Sequence, residues 1–236
     1  MSLKLLRLEL KKLSNPKKAK ESQRYFKTGE GEYGQGDIFI GLTVPQSRQV
    51  ASKFNDLQLS DIESLLNSKI HEERLIALFI LVYQYQTLIG KREKLFNFYL
   101  SKRNRINNWD LVDVSADKII GNHIHNNIEK INIIYTLAKS TDLWDRRIAI
   151  ISTFHFIKNN KFEDTLKISE ILLNDKHDLI HKAVGWMLRE VGKRDEKVLK
   201  IFLAKHYKSM PRTMLRYSIE RFPEKIRKSY LKGKIK

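Results

Sequence analysis

The chain has three tryptophans, and each stands among charged residues: Asn108-Trp109-Asp110-Leu111-Val112-Asp113, Leu143-Trp144-Asp145-Arg146-Arg147, and Lys182-Ala183-Val184-Gly185-Trp186-Met187-Leu188-Arg189-Glu190. An aromatic face, a carboxylate and an arginine together can hold a cationic substrate or stabilise a cationic transition state. Trp109 and Asp113 are four residues apart, so on a helix they share one face, at the edge of the apolar stripe of Leu111, Val112, Ala116 and Ile119. Trp186 lies about 120° from the centre of the stripe formed by Ile180, Ala183, Val184, Met187, Leu188 and Val191, at ~100° per residue. It shares that other face with Lys182, Arg189 and Lys193, and is either a cation–π surface feature or a platform for a ligand. Gly185 beside it weakens a helix interior and implies close approach by another backbone or by a ligand. Arg147 aligns with Ile151 and Phe154 on an otherwise apolar side, so it needs an acceptor. Asp113 on a preceding repeat or a phosphate would serve. Taken alone, a structural Asp–Arg bridge between repeats is the better account.

Three other patterns resemble chemistry and are assigned none. Gly29 to Gly34 spells G-x-G-x-x-G, but the basic helical segment Ser22 to Lys27 precedes it where a dinucleotide site needs a buried strand, and its two glutamates would repel a pyrophosphate. A turn-forming or flexible loop is expected. His177 and His181 stand four apart with no third ligand evident, so an exposed or capping pair is expected and no metal. His71-Glu72-Glu73 lacks the second histidine of a zinc-protease motif and is read as a helix start.

These side chains must be positioned by helices. Four prolines and ten glycines punctuate the sequence and few segments alternate with period two. Helices are predicted over 2–13, 16–27, 45–55, 60–68, 71–88, 91–104, 108–120, 127–139, 142–158, 162–173, 178–192, 195–206, 211–221 and 223–232, with 28–43 irregular. Short connections between many short helices favour stacked hairpins over one compact bundle. The tryptophans recur at 35 and then 42 positions, a degenerate period matching HEAT-like helix pairs. The expected fold is all-α: a HEAT-like superhelix, one domain over 1–236, with a concave basic face able to cradle a duplex.

The net charge of +18 is concentrated at the ends. Residues 1–28 carry nine lysines and arginines against two glutamates, and residues 200–236 carry twelve against two, leaving the middle near neutral. Basic ends around a neutral body suit a protein that wraps a polyanion, nucleic acid first and an anionic membrane surface second. The absence of cysteine excludes disulfides, thiolate nucleophiles and cysteine-ligated metals. Met1 to Leu13 is interrupted by charges too often for a signal peptide or a membrane span, so a cytoplasmic monomer is expected.

The W-D-x-V-D segment at Trp109–Asp113, Trp144-Asp145-Arg146-Arg147 with Ala149, and the K-A-x-G-W-x-L-R-E segment at Lys182–Glu190 resemble, in this order, the AlkD-like DNA alkylation repair glycosylases. Arg24-Tyr25-Phe26 and Phe39-Ile40-Gly41-Leu42-Thr43-Val44-Pro45 are similar to that family's N-terminal pattern. The resemblance spans essentially the whole chain. It implies duplex DNA containing alkylated purines as partner, and excision of cationic N3- and N7-alkylated purines by hydrolysis of the N-glycosidic bond. It implies Asp113 as the catalytic carboxylate, Trp109 and Trp186 against the deoxyribose backbone at the lesion, and Arg147 on the adjacent phosphate. Tyr25 would be a further DNA contact, with Arg146, Lys182, Arg189 and Lys193 as basic neighbours. No metal or organic cofactor is implied, nor base flipping. Two other readings compete: a non-catalytic binder of distorted or branched DNA, and a helical scaffold for an acidic protein.

Overall fold

The computed structural model describes residues 2–235, which fold into helices joined mostly by short turns, with one long irregular connection over 26–43 as expected. Among the described residues there is no strand, only a single parallel bridge between Ile38 and Ile70. The chain divides into two compact units, Met1–Ser115 and Ala116–Lys236.

The first unit contains α1 (Leu3–Leu13), α2 (Pro16–Tyr25), α3 (Val44–Lys53), α4 (Leu59–Leu66), α5 (His71–Thr87), α6 (Arg92–Ser101) and all but the last residue of α7 (Trp109–Ala116). Helix starts follow local chemistry. Ser2 and Asn15 cap α1 and α2 through their side chains, and Thr43 and Gln46 form a reciprocal capping box at α3 with Pro45 in its first turn. At the centre lies α5, buried without interruption from His71 to Val82, with α3, α4 and α6 packed on it. A helix with no solvent face must satisfy every polar group internally. This requirement falls on its first four residues, His71, Glu72, Glu73 and Arg74, all almost fully buried.

The second unit opens with a π-helical turn, Asp117–Gly121, followed by α8 (Asn122–Asn126), α9 (Asn132–Ala138), α10 (Leu143–Lys158), α11 (Glu163–Ile171), α12 (Asp178–Arg194), α13 (Glu196–His206), α14 (Arg212–Ser218) and α15 (Glu224–Leu231). Here α10 is the hub, contacting the π-turn, α9, α11 and α12, while α12 packs on α13 and α14. Trp144 belongs to this core, 9% exposed. The apolar stripe read from the sequence on α12 is fully buried from Ile180 to Val191. Gly185 has the predicted close approach, made by backbone: a Cβ there would lie 2.6 Å from the Met214 carbonyl oxygen of α14 and 2.5 Å from the Tyr217 Cβ.

The fourteen predicted helices correspond to α1–α7 and α9–α15, with ends shifted by a few residues. Missing from the expectation are the π form of the turn at Asp117–Gly121, most of which falls within the helix predicted over 108–120, and α8, which lies in the interval left between 120 and 127. Gly121 closes the π-turn. It stands in the π-turn because α10 packs against it: a Cβ would lie 2.1 Å from the Ser152 carbonyl oxygen. Glycine, by propensity a helix breaker, is here a packing residue.

Candidate nucleic-acid interface

In the first unit, α7 presents Trp109 and Asp113 one turn apart, both half-buried. Trp109 does not stand alone. Its ring lies flat on Phe26, with centroids 5.2 Å apart and planes 8° from parallel. Phe26 stacks in turn on Phe39 at 4.8 Å, and Phe39 on the imidazole of His71 at 4.5 Å. Tyr25, 67% exposed, meets the Trp109 ring edge-on at 6.1 Å.

Beneath this stack is an ionic cluster the sequence reading missed. His71 Nδ1 lies 3.1 Å from Asp37 Oδ2, and Nε2 lies 2.7 Å from Asp110 Oδ2. Arg74 Nη2 donates to the same Asp37 oxygen at 2.6 Å, and Nη1 donates to the Ser68 carbonyl. Both ring nitrogens of His71 face carboxylate oxygens, and only the imidazolium can donate at both. Charge balance agrees, since two buried carboxylates need both Arg74 and a protonated His71. Burial alone would lower the His71 pKa, but the charge and hydrogen bond of Asp110 and the bond to Asp37 outweigh it and raise it to about 9. For Asp37, burial favours the neutral acid, yet the hydrogen bonds from His71 and Arg74 hold its pKa below the ordinary aspartate value.

The start of α7 is tied to this cluster. Asn108 Oδ1 accepts from the Trp109 amide at 2.8 Å, and Asp110 Oδ1 accepts from the Leu111 amide at 2.9 Å. Glu72, next to His71, accepts from the amides of Ile40, Gly41 and Leu42 at 2.8–3.2 Å. Gly41 has φ +85°, and a Cβ there would lie 2.1 Å from the Asn15 carbonyl oxygen. Glu73 takes a two-point ion pair from Arg7 at 3.0 Å. His71-Glu72-Glu73 does begin a helix as expected, but it is also the anchor of the unit. The signal was present: four polar residues opening a helix whose next eight residues leave no polar face.

The Gly29–Gly34 segment follows α2 rather than a strand and forms tight turns. Glu32 accepts from the Gly29 amide, and Gln35 accepts from the Gly31 amide.

In the second unit, Trp186 is half-buried and packs on Phe154 with centroids 5.8 Å apart. Lys158 lies over the other ring of this pair, 4.2 Å from the Phe154 centroid, and bonds Asp117 Oδ2 at 2.6 Å. Arg147 is 5% exposed and donates to the Leu179 carbonyl at 2.6 Å, tying α10 to the first turn of α12. Arg146 is bound by Asp175 at 2.6 Å and by the carbonyls of Ser140 and Thr141. The cations around Trp186 are each engaged with carboxylates: Lys182 with Asp178, Arg189 with Glu220, and Lys193 with Glu190. His177 caps α12 by accepting from the Leu179 amide, and His181 bonds the Asp175 carbonyl. Among the described residues no cluster of ligating side chains could hold a metal ion, and no helix is long and apolar enough to cross a membrane.

Residues 6–222 match the model of the DNA alkylation repair enzyme family. The chain belongs to that family. Solved structures share the fold. One described as a predicted DNA alkylation repair enzyme from Enterococcus faecalis superposes with a TM-score of 0.71 at 16% identity, covering 89% of this chain and 97% of that one. AlkD2 from Streptococcus mutans gives 0.55 at 20% identity over 86% of this chain and 99% of that one. The protein smu.31 from Streptococcus mutans UA159 gives 0.53 at 21% identity over 77% and 93%. No curated protein matches this chain.

Proposed function

We propose that this DNA alkylation repair enzyme is a monofunctional glycosylase that removes cationic N3- and N7-alkylated purines from duplex DNA. The observation that carries the reading is on α7: a tryptophan ring backed by a rigid stack, with a carboxylate one turn further along the same face. An alkylated purine is already positively charged, so it departs with the bonding electrons as a neutral base and needs no strong general acid. Positive charge then builds on the sugar. Asp113 stabilises that charge and orients the water that attacks the anomeric carbon, while the π face of Trp109 lies against the deoxyribose.

Trp186 and Arg147 are assigned to the DNA backbone, Trp186 on a sugar and Arg147 on a phosphate, and Tyr25 to a further contact. Arg146, Lys182, Arg189 and Lys193 are assigned as further DNA-binding cations, which would exchange their carboxylate partners for phosphates, ion pairs of this kind being weak. The whole chain acts as one DNA-binding domain, in the cytoplasm and as a monomer. The chemistry uses no cofactor and does not require the base to be flipped.

The test is release of 7-methylguanine from a methylated duplex by wild type and Asp113→Asn, with duplex binding measured in parallel. Release by wild type alone, with similar binding by both, supports the reading. Equal release by both removes Asp113 from the mechanism. Tight, salt-sensitive binding with no release by either protein means a non-catalytic binder of distorted or branched DNA. Negligible DNA affinity at physiological salt would leave a scaffold for an acidic protein.

A further inference from the structure

We propose that His71 is a positioning residue for the DNA site: its ring, gripped by Asp37 and Asp110, forms the base of the Phe39–Phe26–Trp109 stack and fixes the orientation in which Trp109 meets DNA. This rests on the reading of Trp109 as a DNA contact.

Three features carry it. First, His71 is 1% exposed and meets no solvent, so its only outlets are the cluster and the stack. Second, it reaches Trp109 by two independent routes. One is the face-to-face series from His71 through Phe39 and Phe26 to Trp109. The other runs through Asp110, the residue next to Trp109, which His71 holds at 2.7 Å. Third, a cationic imidazolium against an aromatic face is attractive where a neutral one is much less so. The protonated ring therefore tightens the stack from below while its N–H groups hold the start of α7. The charged groups facing His71 are Asp37 from the 26–43 loop, Asp110 from α7 and Arg74 from its own helix. Glu72 and Glu73, also on α5, are turned to the 40–42 amides and to Arg7.

The role predicts a signature that a generic core histidine would not give. The protein is labelled with 5-fluorotryptophan, and the Trp109 fluorine resonance is assigned by its loss in Trp109→Phe. Tyr25 is the other ionisable ring against Trp109, so the titration is run in Tyr25→Phe protein without DNA. The Trp109 resonance should move with a midpoint near pH 9 while those of Trp144 and Trp186 stay fixed. Adding His71→Gln should abolish the movement. A Trp109 resonance that is flat from pH 6 to 10 overturns the proposal.

Phe26→Leu is the second variant, informative if His71→Gln does not fold. It leaves the ionic cluster intact and removes the one ring through which both Phe39 and His71, the latter 5.1 Å from it, reach Trp109, so the amplitude at Trp109 should shrink. Undiminished amplitude overturns the ring route. In single-turnover assays His71→Gln should slow base release about tenfold to a hundredfold, with duplex affinity little changed, as expected when a contact is misplaced rather than lost. An unchanged release rate overturns the positioning role. No release by wild type would instead overturn the glycosylase reading and leave the Trp109 titration standing.

Discussion

Phe26 and Trp109 stack with their planes 8° from parallel, although they stand 83 positions apart in the chain. The pairing makes Trp109 a rigid surface. One face of the indole is committed to Phe26, leaving its other surfaces and its edge for Tyr25 and for a partner.

Phe26→Leu tests that rigidity. An aromatic pair contributes about 0.5–1.5 kcal/mol beyond its buried area, so the variant should fold with a melting temperature lowered by a few degrees. Base release should fall more than stability does, by about tenfold, because a loosened Trp109 no longer holds the sugar in a reactive geometry. Single-turnover release beside a thermal melt separates the two effects. Equal release by wild type and variant would mean that the stack serves only the fold.

The His71 cluster predicts a stability profile in pH. A histidine whose folded pKa is raised stabilises the protein fully below its unfolded value and loses that contribution as pH rises through the folded value. Here the window runs from about 6.5 to about 9. Unfolding free energy should therefore decline across that range by an amount on the order of a few kcal/mol. Asp37 has the opposite sense. Its contribution is present above the ordinary aspartate pKa and is lost as pH falls through its lowered folded value. Urea unfolding at several pH values checks both limbs, and the decline above pH 6.5 should vanish in His71→Gln.

Glu72 makes a separate prediction about the loop before α3. Its carboxylate accepts from three consecutive amides. Removing it leaves buried donors without acceptors, each costing about 1–3 kcal/mol. Glu72→Ala should destabilise by at least ~3 kcal/mol and make the 29–43 segment the first site of limited proteolysis. Glu72→Gln keeps one acceptor oxygen and should fall between. A protease cutting wild type and Glu72→Ala at the same rate and place would show that Glu72 does not hold the loop.

Much of this was legible in the sequence. Apolar periodicity and cap residues located the helices, and the apolar stripe of α12 and the close approach at Gly185 were read correctly. Most of what escaped shares a physical cause: it depends on pairs remote in sequence. Asp37, His71 and Asp110 come from a loop and two helices, and nothing local says they converge. Of the three cations read beside Trp186, Arg189 is matched by Glu220, thirty-one residues away, whereas Lys182–Asp178 and Lys193–Glu190 are one-turn pairs that helical spacing alone could have revealed. Gly121 drew no reading at all, because its reason for being glycine is the backbone of α10. Local propensity places elements; it does not show which charges are already spoken for.

Gly185→Ala tests the support of the second tryptophan. The added methyl would stand 2.5 Å from the Tyr217 Cβ and 2.6 Å from the Met214 carbonyl oxygen. Neither neighbour is the free end of a flexible side chain, so α14 must move away from α12. Alanine favours a helix over glycine by about 1 kcal/mol, whereas overpacking a tight contact costs about 1–3 kcal/mol. The clash involves a main-chain atom, which places the overpacking cost at the upper end, so the net effect should be destabilisation by about 1–2 kcal/mol, read as a lower urea midpoint. Trp186 follows Gly185 directly, and Arg189, on the same helix, reaches Glu220 just beyond α14. Duplex affinity should therefore drop alongside stability, and Asp113→Asn, remote from this contact in the sequence, should not alter the urea midpoint in the same way. A Gly185→Ala protein as stable as wild type would show that α14 yields to α12 without cost, and that the glycine is not required by the packing of these two helices.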